Sequence, residues 1–134
     1  MAQSSNQIVK TLIAEATLAA KQYYAVEVGT ANSNVVVAGA GAAEGSHVVG
    51  IVQNKPGAGE AAAVAIGGTS KLVMAANCDR GEKIMSDGTG KGTPADADTK
   101  AVIGIALESN ASGNGAIIEV LLTPGGVAQA NESD

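Results

Sequence analysis

One apolar run occurs twice. Val49-Gly50-Ile51-Val52-Gln53-Asn54 returns as Ile103-Gly104-Ile105-Ala106-Leu107-Glu108, and each copy ends in a turn-forming stretch, Lys55-Pro56-Gly57-Ala58-Gly59 or Ser109-Asn110-Ala111-Ser112-Gly113-Asn114-Gly115. A second apolar run then resumes, as Ala62-Ala63-Val64-Ala65-Ile66 and as Ala116-Ile117-Ile118-Glu119-Val120-Leu121-Leu122. Gly50 and Gly104 lie 54 positions apart, as do Gly59 and Gly113, so the spacing predicts two related β-hairpins. Glycine inside an apolar strand marks a bulge, a bend or a close backbone approach, and Pro, Asn and Gly between strands supply the backbone angles of turns.

Most of the remaining chain reads the same way. Short runs rich in β-branched residues at 23–28, 34–38, 47–53, 61–66, 71–75, 83–86, 101–108 and 116–122 are separated by Gly, Asn, Asp or Pro, which predicts a small barrel or sandwich. From 8 to 20 the pattern is mixed. Ile8, Leu12, Ala16 and Ala19 fit a helix, while Leu12, Ala14, Ala16 and Leu18 alternate as in a strand; pattern alone favours a short helix. Residues 87–98 are expected to form an exposed loop, and 125–134 a polar tail.

With 134 residues, two tyrosines, no Phe and no Trp, the chain is long enough for one domain, whose core must be built from Val, Ile, Leu and Ala. Such a core holds little margin over chain entropy, and assembly with other subunits is the usual way to bury more surface. The net charge of −5 and the scattered Lys and Arg argue against nucleic-acid binding. No run approaches the ~18 apolar residues of a membrane helix, and the first residues lack a signal-peptide pattern, so a soluble protein made in the cytoplasm is expected.

No sequence motif carries catalysis. Gly39-Ala40-Gly41-Ala42-Ala43-Glu44-Gly45 has Glu44 where a dinucleotide fingerprint needs its third glycine, and it is expected to be a hairpin turn. Gly67-Gly68-Thr69-Ser70-Lys71 and Gly90-Lys91-Gly92 lack the Lys-Ser/Thr order of a phosphate loop. His47 is the single histidine, and Asp96 with Asp98 lacks the glycine and distal glutamate of a calcium loop. Cys78 stands alone; Arg80 nearby could lower its pKa, but an inert small residue is the expected role. The expectation is a non-enzyme without cofactor or metal.

The order of features is itself informative. It runs Ala14-Glu15-Ala16-Thr17-Leu18, Tyr24-Ala25-Val26-Glu27-Val28, Val49-Gly50-Ile51-Val52-Gln53-Asn54, Gly59, Val64-Ala65-Ile66-Gly67-Gly68, Gly81-Glu82-Lys83, Val102 through Glu108, and Ile118-Glu119-Val120-Leu121-Leu122. This order resembles the capsid cement, or head decoration, proteins of tailed bacteriophages, a small β-rich family, over about 12–125. The resemblance implies an all-β fold, a small β-barrel or β-tulip-like domain of short antiparallel strands with an extended N-terminal arm, and replaces the helix at 8–18 by a strand or arm. Its implied divisions are an arm at 1–20, a β domain at 21–124 and a flexible tail at 125–134.

It further implies a virion protein on the outer capsid surface, a homotrimer bridging subunits of the major capsid protein and stabilising the mature head. The candidate capsid- or subunit-binding arm comprises Ser4, Ser5, Asn6, Gln7, Ile8, Val9, Lys10, Thr11 and Leu12, which could add as a strand to a partner. The alternative is a tail- or fibre-associated module, or a carbohydrate-adhering surface module, for which Tyr23 and Tyr24 are the available rings.

Overall fold

Strand formation follows the β-branched runs closely. The computed structural model describes residues 7–38, 48–95 and 101–127; the 39–45 turn, His47, Asp96, Asp98 and 128–134 lie outside them. The described residues form nine strands and no helix: β1 Gln7–Ala14, β2 Ala25–Val28, β3 Asn34–Val37, β4 Val48–Val52, β5 Ala61–Val73, β6 Lys83–Ser86, β7 Gly92–Pro94, β8 Ala101–Ala106 and β9 Ile117–Val127.

The sheet runs β1-β3-β2-β4-β5-β9-β8-β6-β7, and β1 also pairs with β5. That extra pairing closes β1, β3, β2, β4 and β5 into a five-stranded barrel. Closure pairs one edge of β1 along β5 and leaves the other paired to β3 at Ile13 and Ala14, which shortens the exposed edges that would otherwise template aggregation. β1 meets β3 in parallel at Ile13 and Ala14, and runs antiparallel to β5 from Gln7↔Gly68 to Ile13↔Ala61.

The helix suggested by pattern at 8–20 is therefore replaced by β1 followed by turns: pairing with β5 outweighs weak local propensity. The expected boundaries also move. Residues 7–14 are part of the barrel rather than an arm, so no division falls at 20, and β9 carries the fold past 124 to Val127. Residues 87–98 contain β7, which pairs with β6 from Ser86↔Gly92 to Ile84↔Pro94.

Hydrogen bonds extend the hairpin echo to nearly the whole fold. The parallel pair Ala14↔Val35 has a counterpart in the bridge Met74↔Gly92. Leu12↔Ala62 matches Leu72↔Ile118, Val26↔Gly50 matches Ile84↔Gly104, and Val52↔Val64 matches Ala106↔Val120. Loops match as well: the Leu18 amide donates to the Pro56 carbonyl at 2.8 Å and the Cys78 amide to the Asn110 carbonyl at 3.0 Å. Thus β1, β2, β3, β4 and the first half of β5 correspond to the second half of β5, β6, β7, β8 and β9. Among the described residues, the second set closes on itself through the bridge between Met74 and Gly92. The chain is two consecutive small barrels sharing β5.

Their cores correspond residue by residue. The first cluster holds Ala14, Leu18, Val26, Val35, Val52, Ala62 and Val64; the second holds Met74, Cys78, Ile84, Ala106, Ile118 and Val120 at the equivalent places. Gly92 stands where Val35 does. A Cβ on it would come within 2.6 Å of Met74 Sδ and Leu72 Cδ2 and 2.9 Å of Ile84 Cγ2. Larger neighbours have taken the volume that valine occupies in the first barrel, which keeps both interiors filled.

The shared turn geometry corrects one expected correspondence. The Gly59 amide donates to the Ala14 carbonyl at 2.7 Å, and it is the Gly115 amide, not that of Gly113, that donates to the equivalent Met74 carbonyl, at 2.8 Å. The second turn is two residues longer, so a constant spacing of 54 holds for β4 and β8 but not beyond the turn.

Candidate interaction surfaces

β1 carries six of the nine residues expected to bind a partner. Gln7, Ile8, Val9, Lys10, Thr11 and Leu12 are paired with β5 of the same chain, while Ser4, Ser5 and Asn6 lie outside the described residues. Ile8 is 64% exposed, and its side chain lies over Gly67, where a Cβ would approach Ile8 Cδ1 to 3.2 Å. Gln7 Nε2 donates to Gln53 Oε1 at 3.2 Å, and Gln53 Nε2 donates to Ser70 Oγ at 2.8 Å, which ties the start of β1 to the middle of β5. Among the described residues, the edge of β1 away from β5 is paired at Ile13 and Ala14 alone.

A second surface lies on the outside of the second barrel. Strand alternation points Ile117, Glu119 and Leu121 outward between buried Ile118, Val120 and Leu122. Leu121 pairs with Ile105 on one side and Thr69 on the other, and Ile105 pairs with Lys83. Leu107, Ile117 and Leu121 are all large, apolar and exposed, and Lys71 pairs with Glu119 beside them. Sequence reasoning passed over this face. Its signal is the alternation in 116–122 set against the repeat, since Ala65 in the first copy becomes Leu121 in the second.

A cleft of about 370 Å³ is lined by Asn77, Cys78, Asp79, Glu82, Pro94, Ser109, Asn110 and Ala111. Its polar groups are already engaged in holding loops: Asn110 Nδ2 donates to the carbonyls of Ala76 and Gly113, Glu82 Oε1 accepts from the Asp79 amide, and Ser109 Oγ accepts from the Arg80 amide. Burial pushes the Cys78 thiol up, and the charges of Glu82 and Asp79 push in the same direction against a lowering bond from the Asn110 amide. Arg80 therefore does not activate it. The protonated thiol faces the Glu108 carbonyl at 3.8 Å.

The tyrosines are not a free ring platform. Tyr23 and Tyr24 are half-buried, Lys71 Nζ lies 5.7 Å from the Tyr23 ring centre and Lys21 Nζ 4.9 Å from that of Tyr24. Gly67 and Gly68 fall within β5, so that segment is strand rather than phosphate loop. Among the described residues, no three His, Cys, Asp or Glu side chains are grouped to hold a metal, and no helix is long and apolar enough to cross a membrane.

The fold has a counterpart among solved structures. It is similar to the N base of the head fibre protein gp8.5 of bacteriophage phi29, with a TM-score of 0.64 and 14% identity, over 87% of this chain and 94% of that one. At that identity the likeness is one of fold. No protein-family model and no curated protein matches the sequence.

Proposed function

We propose that this chain is a structural protein of a tailed-bacteriophage virion that binds the outer capsid surface, bridges major capsid subunits as a homotrimer and stabilises the mature head. The observation that carries the reading is the fold shared with a phage head fibre base across nearly the full length of both chains. The order of glycine-bounded strands that resembles head decoration proteins supports it independently. The role proposed is mechanical, without catalysis, cofactor, nucleic acid or membrane. Residues 4–12 would contact the capsid, with the outward edge of β1 extending a sheet of the partner.

The test is co-sedimentation of purified protein with expanded, undecorated heads of its source phage, counting copies per major capsid subunit. Saturation at a lattice-related ratio is expected, and deleting residues 1–6, which leaves β1 intact, should lower occupancy without unfolding the barrels. Absence of binding to mature heads overturns the reading. Because the similar structure is a fibre base, the second reading is a fibre-associated module; binding restricted to tail or fibre preparations would select it.

A further inference from the structure

We propose that a second copy of this chain docks on the outer face of the second barrel, at Ile105 and Leu121, and does so with its own first barrel, so that copies join head to tail. This deepens the self-association in the reading above and rests on it. The occupant follows from the internal repeat. In the first barrel the paired row Ala25–Ile51–Ala65 also points outward, yet all three residues are 0% exposed. They are covered because β4 lies against β8 and β9, and the three side chains join the core cluster of the second barrel.

The equivalent row in the second barrel is Lys83–Ile105–Leu121, and there the same surface stands open, with Leu121 40% exposed. The covering side is duplicated too. β8 and β9 bring Ile103 and Leu122 into that core cluster, and their counterparts in the first barrel are Val49, which is half-buried, and Ile66, which is 36% exposed beside Ile8. Val49 packs against the first barrel's own core, so each molecule carries one uncovered receiving row and one covering edge open at Ile66, the two halves of a contact it already makes once inside itself.

Two unlike faces make a heterologous contact, which builds a ring when the rotation between copies closes. Lys83 and Leu121 stand where Ala25 and Ala65 let the barrels approach, so the incoming copy sits farther out and the contact is weaker than the one within the chain.

The test compares wild type, Leu121→Glu and Ile66→Glu of the full chain by sedimentation equilibrium, with circular dichroism confirming that each is folded. Wild type is expected to assemble, each variant to be monomeric, and a mixture of the two variants to form dimers, because one receiving row and one covering edge remain intact between them. A monomeric wild type, an assembled single variant or a mixture that stays monomeric overturns the proposal. Assembly that survives Leu121→Glu overturns this face while leaving self-association standing, and capsid binding is scored separately by co-sedimentation.

Discussion

Gly50 and Gly104 are required for space, whereas Gly81 is favoured by conformation. A Cβ on Gly50 would overlap the carbonyl oxygen of Ala65, and one on Gly104 the carbonyl oxygen of Leu121, so the repeat preserves a strand crossing that no side chain can enter. Gly81 has φ +91 with nothing within 4 Å of the place a methyl would occupy, and its counterpart Tyr23 reaches φ 69 with a full side chain. Gly104→Ala should therefore cost about 3 kcal/mol, the upper range of overpacking, while Gly81→Ala costs only about 1–2 kcal/mol of backbone strain. Urea-denaturation midpoints at constant slope measure both. A smaller loss at Gly104 than at Gly81 would contradict this assignment.

Glu15 shows how one carboxylate orders a loop. The Thr30 hydroxyl donates to it at 2.9 Å, the Thr30 amide at 2.7 Å, the Ala31 amide at 3.1 Å and Asn34 Nδ2 at 3.4 Å. These bonds, the Thr30 hydroxyl foremost, hold the carboxyl below the usual carboxylate range despite some opposing desolvation. A depressed folded-state pKa means that the stabilisation is complete above the unfolded-state value and is lost as pH falls through the folded one. Glu15→Gln should accordingly flatten the acid side of the stability–pH profile, measured by thermal melts across the carboxylate range. An unchanged profile would show that the network contributes nothing.

At the scale of elements, β5 is where sequence and structure part. The runs at 61–66 and 71–75 read as two strands because Gly67-Gly68 separates them, but Gly68, at φ +81, bends the chain without ending the strand. Opposite it, the register of β1 shifts between Ile8 and Val9, so the bend and the bulge coincide. The hairpins β4–β5 and β8–β9 were legible because glycine spacing and turn chemistry are local. β7 was not, since Gly92–Pro94 is too short to show a pattern and gains strand character by pairing with β6 and bridging to Met74. Nor was the closure of β1 onto β3 and β5, which depends on residues far apart in sequence. The apolar face around Leu121 remained hidden for the same reason: alternation says which side chains leave the core, not whether another barrel covers them.

For the whole molecule, one strand serves two barrels, and that couples their stability. β1 and β4 pair with the first half of β5, and β9 pairs with the second half from Thr69 to Val73. The Val73 amide donates to the Tyr23 carbonyl and the Ala25 amide to the Gly90 carbonyl, both across the two barrels. Neither barrel can open without freeing groups that hold the other, so unfolding is expected to be a single transition. Tyr23 packs against the second barrel's core cluster, so tyrosine fluorescence reports the junction, whereas far-ultraviolet circular dichroism reports all the strands; coincident denaturation curves are predicted, and separated midpoints would show independent barrels.

The most direct measurement is a cryo-electron-microscopy reconstruction of heads from the source phage, with and without the protein. Double-barrel density on the outer capsid surface, spanning neighbouring major capsid subunits, is expected and should disappear when the protein is absent. Identical maps, or the density found on the tail alone, would contradict it.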